Sequence, residues 1–145
     1  MVTPAHRSLL RLAAAALVAA ATLAALPAAP ALAANASQAQ RLEKFLQRPE
    51  ALRLWFTYSC DAGSDIRFVH GALRKDGENV AGAGRYRLNC DGKTHQRLLI
   101  FAPRNDVVRT GDSVEVTLRL GKAVDGRPEW VTEDTRTLTV TEVAV

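Results

Sequence analysis

Beyond residue 33 the chain has two histidines, His70 and His95, the residue type best suited to ligate a metal. Zinc sites take three or four protein ligands, so a site here would have to recruit Asp91 beside them. The spacing argues otherwise. His70 shares a phase with Phe68 and Ala72, which reads as a half-buried strand position, and His95 follows the Asp91-Gly92 turn, where a ring nitrogen serves a local hydrogen bond. No metal site is expected. Nucleophilic chemistry lacks parts as well: Ser59, Ser64 and Ser113 fall on a strand flank, a turn and a strand start. None lies in a strand, Gly-x-Ser-x-Gly, helix context. Glu129, Glu133 and Asp134 form a carboxylate cluster that reads as a solvated connection, and no glycine-rich phosphate loop is present. The expectation is a non-enzyme with no catalytic residue and no cofactor.

Cys60 and Cys90 are the only cysteines. A redox pair would need close Cys-x-x-Cys spacing and a thiol metal site would need further ligands, so the expected chemistry is one intrachain disulfide. Closing a loop of this length stabilises by about 3–4 kcal/mol on the chain-entropy account. The remaining feature of interest is a set of arginine and aromatic or aliphatic residues. Arg85, Arg87, Arg97, Leu99 and Phe101 alternate out of phase with the cysteines, and Trp55 with Arg53 does the same on an earlier strand. Such residues populate interface centres. If a helix over 37–47 or the terminal strand covers that face, Trp55, Leu99 and Phe101 are ordinary core; if not, the patch would meet an acidic or glycan-bearing partner. Cover is the expectation.

The elements that must carry these residues are mostly strands. Leu52, Leu54, Phe56, Tyr58 and Cys60 alternate with Arg53, Trp55, Thr57 and Ser59, the period of a half-buried strand. A second strand is expected over Ile66 to Leu73. Tyr86, Leu88 and Cys90 alternate before Asp91-Gly92, the left-handed pair of a tight hairpin, and a strand from His95 to Ala102 is expected to return beside them. Val114, Val116, Leu118 and Leu120 form another strand, with weaker ones at Glu129–Thr132 and Thr135–Val143. One helix is expected, Gln38 to Gln47, with Ser37 and Gln40 as a capping box and Leu42, Phe45 and Leu46 on one face before Pro49. The predicted fold is all-β: an immunoglobulin-like antiparallel β-sandwich of six to seven strands with one disulfide, preceded by that short helix.

Residues 1–33 read as a secretory signal peptide. Arg7 and Arg11 precede an apolar run from Leu12 to Leu26, about 22 Å as a helix, which is short of the roughly 30 Å hydrocarbon core. Pro27 and Pro30 end it, and cleavage is expected after Ala33 or Ala36. Residues 34–49 then form the helical segment and 50–145 the β-sandwich domain. The formal charge of +4, from 19 basic and 15 acidic residues, includes the two leader arginines, so 17 − 15 leaves +2 for the rest. That balance excludes a strongly basic nucleic-acid binder. A secreted, extracellular chain with no membrane span after signal removal is expected.

Tyr58-Ser59-Cys60, Gly82-Ala83-Gly84, Cys90-Asp91-Gly92 with His95 three further on, and Gly111-Asp112-Ser113-Val114-Glu115-Val116 stand together over residues 52–141. In these the chain resembles a family of uncharacterised secreted actinobacterial domains. The resemblance implies a one-disulfide immunoglobulin-like sandwich of unknown function, and the family has no assigned catalytic residues to carry over to this chain. Together the residues predict a secreted, non-enzymatic binding or structural module whose partner is an extracellular protein or glycan. Two other functions fit less well: a small-ligand carrier similar to the chromoprotein apoproteins, which carry two disulfides, and a protease inhibitor presenting Arg104 or Arg109 on the Pro103–Gly111 loop.

Overall fold

The computed structural model describes residues 35–45, 50–84, 86–103 and 107–144. The expected signal peptide, Leu46, Gln47, Arg85 and Arg104 lie outside them. Among the described residues there are eight strands: β1 (Ala36–Phe45), β2 (Leu52–Ser59), β3 (Ile66–Lys75), β4 (Glu78–Gly82), β5 (Tyr86–Arg87), β6 (Thr94–Phe101), β7 (Ser113–Val124) and β8 (Arg127–Val143). None of these residues is helical, so no helix among them is long and apolar enough to cross a membrane. The fold is all-β with one disulfide, Cys60–Cys90, whose Cα atoms are 4.9 Å apart.

Pairing runs in the order β4-β3-β7-β8-β1-β2-β6, with β5 attached to β3. Two-residue turns make the local hairpins. Asp76-Gly77 and Asp125-Gly126 all have positive φ, and Lys75 pairs Glu78 as Val124 pairs Arg127. Aspartate followed by glycine is the pair that tolerates this backbone and matches strand twist. The long strand β8 is the joint of the molecule: residues 127–139 pair antiparallel with β7, and Val140–Val143 run parallel to Leu42–Phe45 of β1.

Alternation along β2, β3 and β7 buries Leu52, Leu54, Phe56, Tyr58, Val69, Leu73, Val114, Val116, Leu118 and Leu120 in one core. The two ends of the pairing path face each other across it. A Cβ on Gly71 of β3 would lie 2.7 Å from Phe101 Cζ and 2.8 Å from Leu99 Cδ1, both on β6 at the far end of the path. Only glycine admits that approach.

Three expectations are corrected here. The helix over 38–47 is a strand through Phe45: β1 pairs with β2 on one side and β8 on the other. Its buried residues Ser37, Ala39, Leu42 and Phe45 are spaced two, three and three apart: a bulge between Ala39 and Arg41 shifts the phase before Leu42, and Phe45 is buried on the opposite face, under Arg53. A bulge inserts one residue and imitates a helical spacing. Ser37, read as a cap, is buried in the strand, and its Oγ has no hydrogen-bond partner. Second, no hairpin forms at Asp91-Gly92: β5 pairs with β3, and β6 pairs with β2. Gly92 does take the left-handed conformation, with φ 78°, but its N–H donates to Cys60 O at 3.0 Å, so the turn crosses beside the disulfide. Third, the two weak terminal strands are one continuous strand.

Candidate functional site

Of the residues of the expected patch, the described ones, Trp55, Arg87, Arg97, Leu99 and Phe101, are not gathered in one place. Leu99 and Phe101 are fully buried, because β6 pairs with β2 in a register that sets Leu54 opposite Leu99 and Leu52 opposite Phe101. Their cover is Gly71 of β3, not the N-terminal segment. Arg97 shares their phase, opposite Phe56, but is exposed. Trp55 pairs with Leu98 and therefore lies on the other face. There it is half-buried, its Nε1 donating to Glu43 Oε2 at 2.9 Å, with the Arg41 guanidinium 5.1 Å from the ring centroid. Arg53 covers Phe45 in the same layer. Exposed Arg87 sits on β5 opposite Phe68, where Arg67, Phe68 and Leu88 join it around a depression of about 510 Å³.

Asp91 and His95 serve the turn next to the disulfide. His95 Nε2 is 2.8 Å from Asp91 Oδ1, which also accepts from Lys93 N at 3.0 Å. These bonds, that of His95 first, hold the Asp91 carboxyl below the usual carboxylate range. The His95 ring stacks on Tyr58 with centroids 5.3 Å apart, and Tyr58 Oη accepts from Asn89 N. His70 is elsewhere, on β3 opposite Arg119. Among the described residues no group of three or more His, Cys, Asp or Glu is placed to hold a metal ion.

The loop before β7 is braced through backbone and charge. Asp112 Oδ2 accepts from Lys75 Nζ at 2.6 Å and from Arg109 N at 2.7 Å, and these bonds, Lys75 first, lower its pKa. Gly111 N donates to Val140 O, Lys44 Nζ donates to Val108 O, and the Val108 side chain is buried. Arg109 is thus an exposed side chain on a held backbone.

Sequence reading missed a different feature, the outward face of β4, β3, β7 and β8. Pairing aligns its side chains in rows across the strands. Gly82, Ala72, Thr117 and Thr135 form one row of small side chains. Two residues along on one side stands the row His70, Arg119 and Glu133; on the other stand Asn79, Arg74, Glu115 and Thr137. Small residues between two taller rows make a groove, with a depression of about 380 Å³ over Ala72, Thr117 and Thr135. A second, of about 420 Å³, continues it over β4 between His70 and Asn79. The floor hydroxyls of Thr117 and Thr135 are 3.0 Å apart. Arg119 pairs with Glu133 across one wall, and Arg74 Nη1 lies 3.4 Å from Glu115 Oε1 across the other. Beyond His70, its ring centroid 5.6 Å away, Trp130 packs over Gly121. The signal for this groove was present as alternation in β7, where Glu115, Thr117 and Arg119 face away from the valines and leucines. Its row-to-row register required the pairing itself.

No protein-family model matches the chain, and no curated protein matches it.

Proposed function

We propose that this chain is an exported, non-enzymatic binding module, an immunoglobulin-like sandwich that offers the outer groove of β3, β7 and β8 to an extracellular ligand. The strand path supports the sandwich: β2, β1 and β6 correspond to strands B, A and E of that fold, and β3, β7 and β8 to C, F and G. Residues 1–33, with their short apolar run and Ala31-Leu32-Ala33, support export, and a disulfide suits an oxidising compartment. The stretch from Cys90 to His95 supports kinship with the secreted actinobacterial domains.

One observation carries the reading: a row of small side chains walled by charged and aromatic ones across adjacent strands. Core packing needs no such arrangement on an outward face. The test is retention of cell-envelope or culture-supernatant material by the immobilised protein, compared with Ala72→Arg, whose side chain fills the groove. Retention lost in the variant supports the reading; equal retention, or none by either protein, removes it.

A second reading draws on the braced loop. Arg109, held by the Asp112 and Lys75 contacts, has the fixed backbone that a protease inhibitor requires. Slow cleavage and inhibition of trypsin-like enzymes at micromolar concentration would support it. Rapid cleavage after Arg109 would end it.

A further inference from the structure

Resting on the binding-module reading, we infer that the groove over Ala72, Thr117 and Thr135 takes a neutral oligosaccharide laid across the strands. Charge is the first argument. Its walls carry Arg74 and Arg119 against Glu115 and Glu133, two of each sign, so the groove offers no net charge to a polyanion or a basic peptide. The floor supplies the second. Thr135 is exposed, Ala72 half-buried and Thr117 buried at the bottom. The floor therefore presents hydroxyl capacity, chiefly through Thr135, without an apolar surface for lipid, and each hydroxyl keeps a lone pair beyond the bond they share. A protein partner would instead meet an aromatic, charge-depleted centre.

The walls fit hydroxyl recognition. All four wall ion pair members are exposed by about half, from 40% to 52% of their side-chain surface, and such pairs contribute little to stability. Arg74 stays anchored by Nη2, which donates to Gly77 O at 2.7 Å, while its Nη1 and the Glu115, Arg119 and Glu133 groups can exchange a partner for sugar hydroxyls at little cost. Four strands at about 4.8 Å spacing give a floor about 14 Å long, and the walls, four residues apart along each strand, stand about 13 Å apart. That is room for a short run of linked sugar rings. His70, on the β3 stretch of one side wall and backed by Trp130, supplies an aromatic ring of the kind on which the apolar face of a pyranose packs.

The experiment is an amide NMR titration of the protein with short soluble oligosaccharides of glucose, xylose, mannose and N-acetylglucosamine. At least one series is expected to give saturable shifts at Ala72, Thr117 and Thr135. Thr117→Val with Thr135→Val keeps the shape and should weaken binding about tenfold by removing the hydroxyl partners. Ala72→Arg should abolish it, and Arg97→Ala, across the molecule, should not change it. Amide spectra of each variant establish that it is folded. If no oligosaccharide moves these amides while Ala72→Arg still abolishes retention of envelope material, the groove binds another class of partner; this inference falls and the binding-module reading stands. If neither occurs, both fall.

Discussion

Gly71 is the residue on which the two ends of the sheet path meet. Phe101 and Leu99 occupy the space a side chain would need, so Gly71→Ala should lose about 1–3 kcal/mol of stability, measured by urea unfolding, with both hydrophobic partners forced off their rotamers. The burial of Leu99 and Phe101 was half legible: their types said core or interface, but only pairing with β2 decides between them. Asp112 gives a prediction in pH. Its carboxyl titrates below the usual range in the folded protein, so the unfolded chain binds the proton first as pH falls. The contribution is complete above the ordinary aspartate value and is lost as pH drops through the lowered folded value. Asp112→Asn should therefore reduce stability at neutral pH and flatten the acid limb of a stability–pH curve below about pH 4. Unchanged acid behaviour would show that the Lys75 contact has no thermodynamic weight.

At the scale of elements, β2, β6 and β7 were legible because alternation over most of each leaves one reading, and β3 was legible despite a register shift between Ile66 and Phe68. β1 was not. The bulge after Ala39 and the shelter of Phe45 under Arg53 turned a strand into a pattern spaced by threes. Since β1 lies between β2 and β8 with Leu42 fully buried, Leu42→Ala should cost about 2–5 kcal/mol in denaturant unfolding. A loosely attached helix would lose far less. Turn signals misled in a related way: Asp76-Gly77, Asp91-Gly92 and Asp125-Gly126 share a sequence, yet only the first and last close two-residue hairpins. An aspartate–glycine pair specifies local backbone and not the strand that follows it. The bridge itself was legible from count alone. Replacing both cysteines by serine should cost about 3–4 kcal/mol, read as a lower urea midpoint, since Cys60–Cys90 ties β2 to the segment after β5.

For the whole molecule, β8 makes one pairing path out of two packed sides, and that leaves two distinct outer faces. One carries Trp55 with Glu43 and Arg41; the other carries the groove, with Trp130 beside His70. Alternation told which residues face outward. It could not tell which rows align, because register depends on partners distant in sequence, and the groove exists only in that alignment. The chain has two tryptophans, and they lie one to each face, so their indole N–H signals report where a ligand binds. The most direct test is a titration of the labelled protein with the envelope material that it retains, following those two signals. Groove binding predicts a saturable shift of the Trp130 indole with Trp55 unmoved. A shift confined to Trp55 would contradict the account and place the ligand on the opposite face.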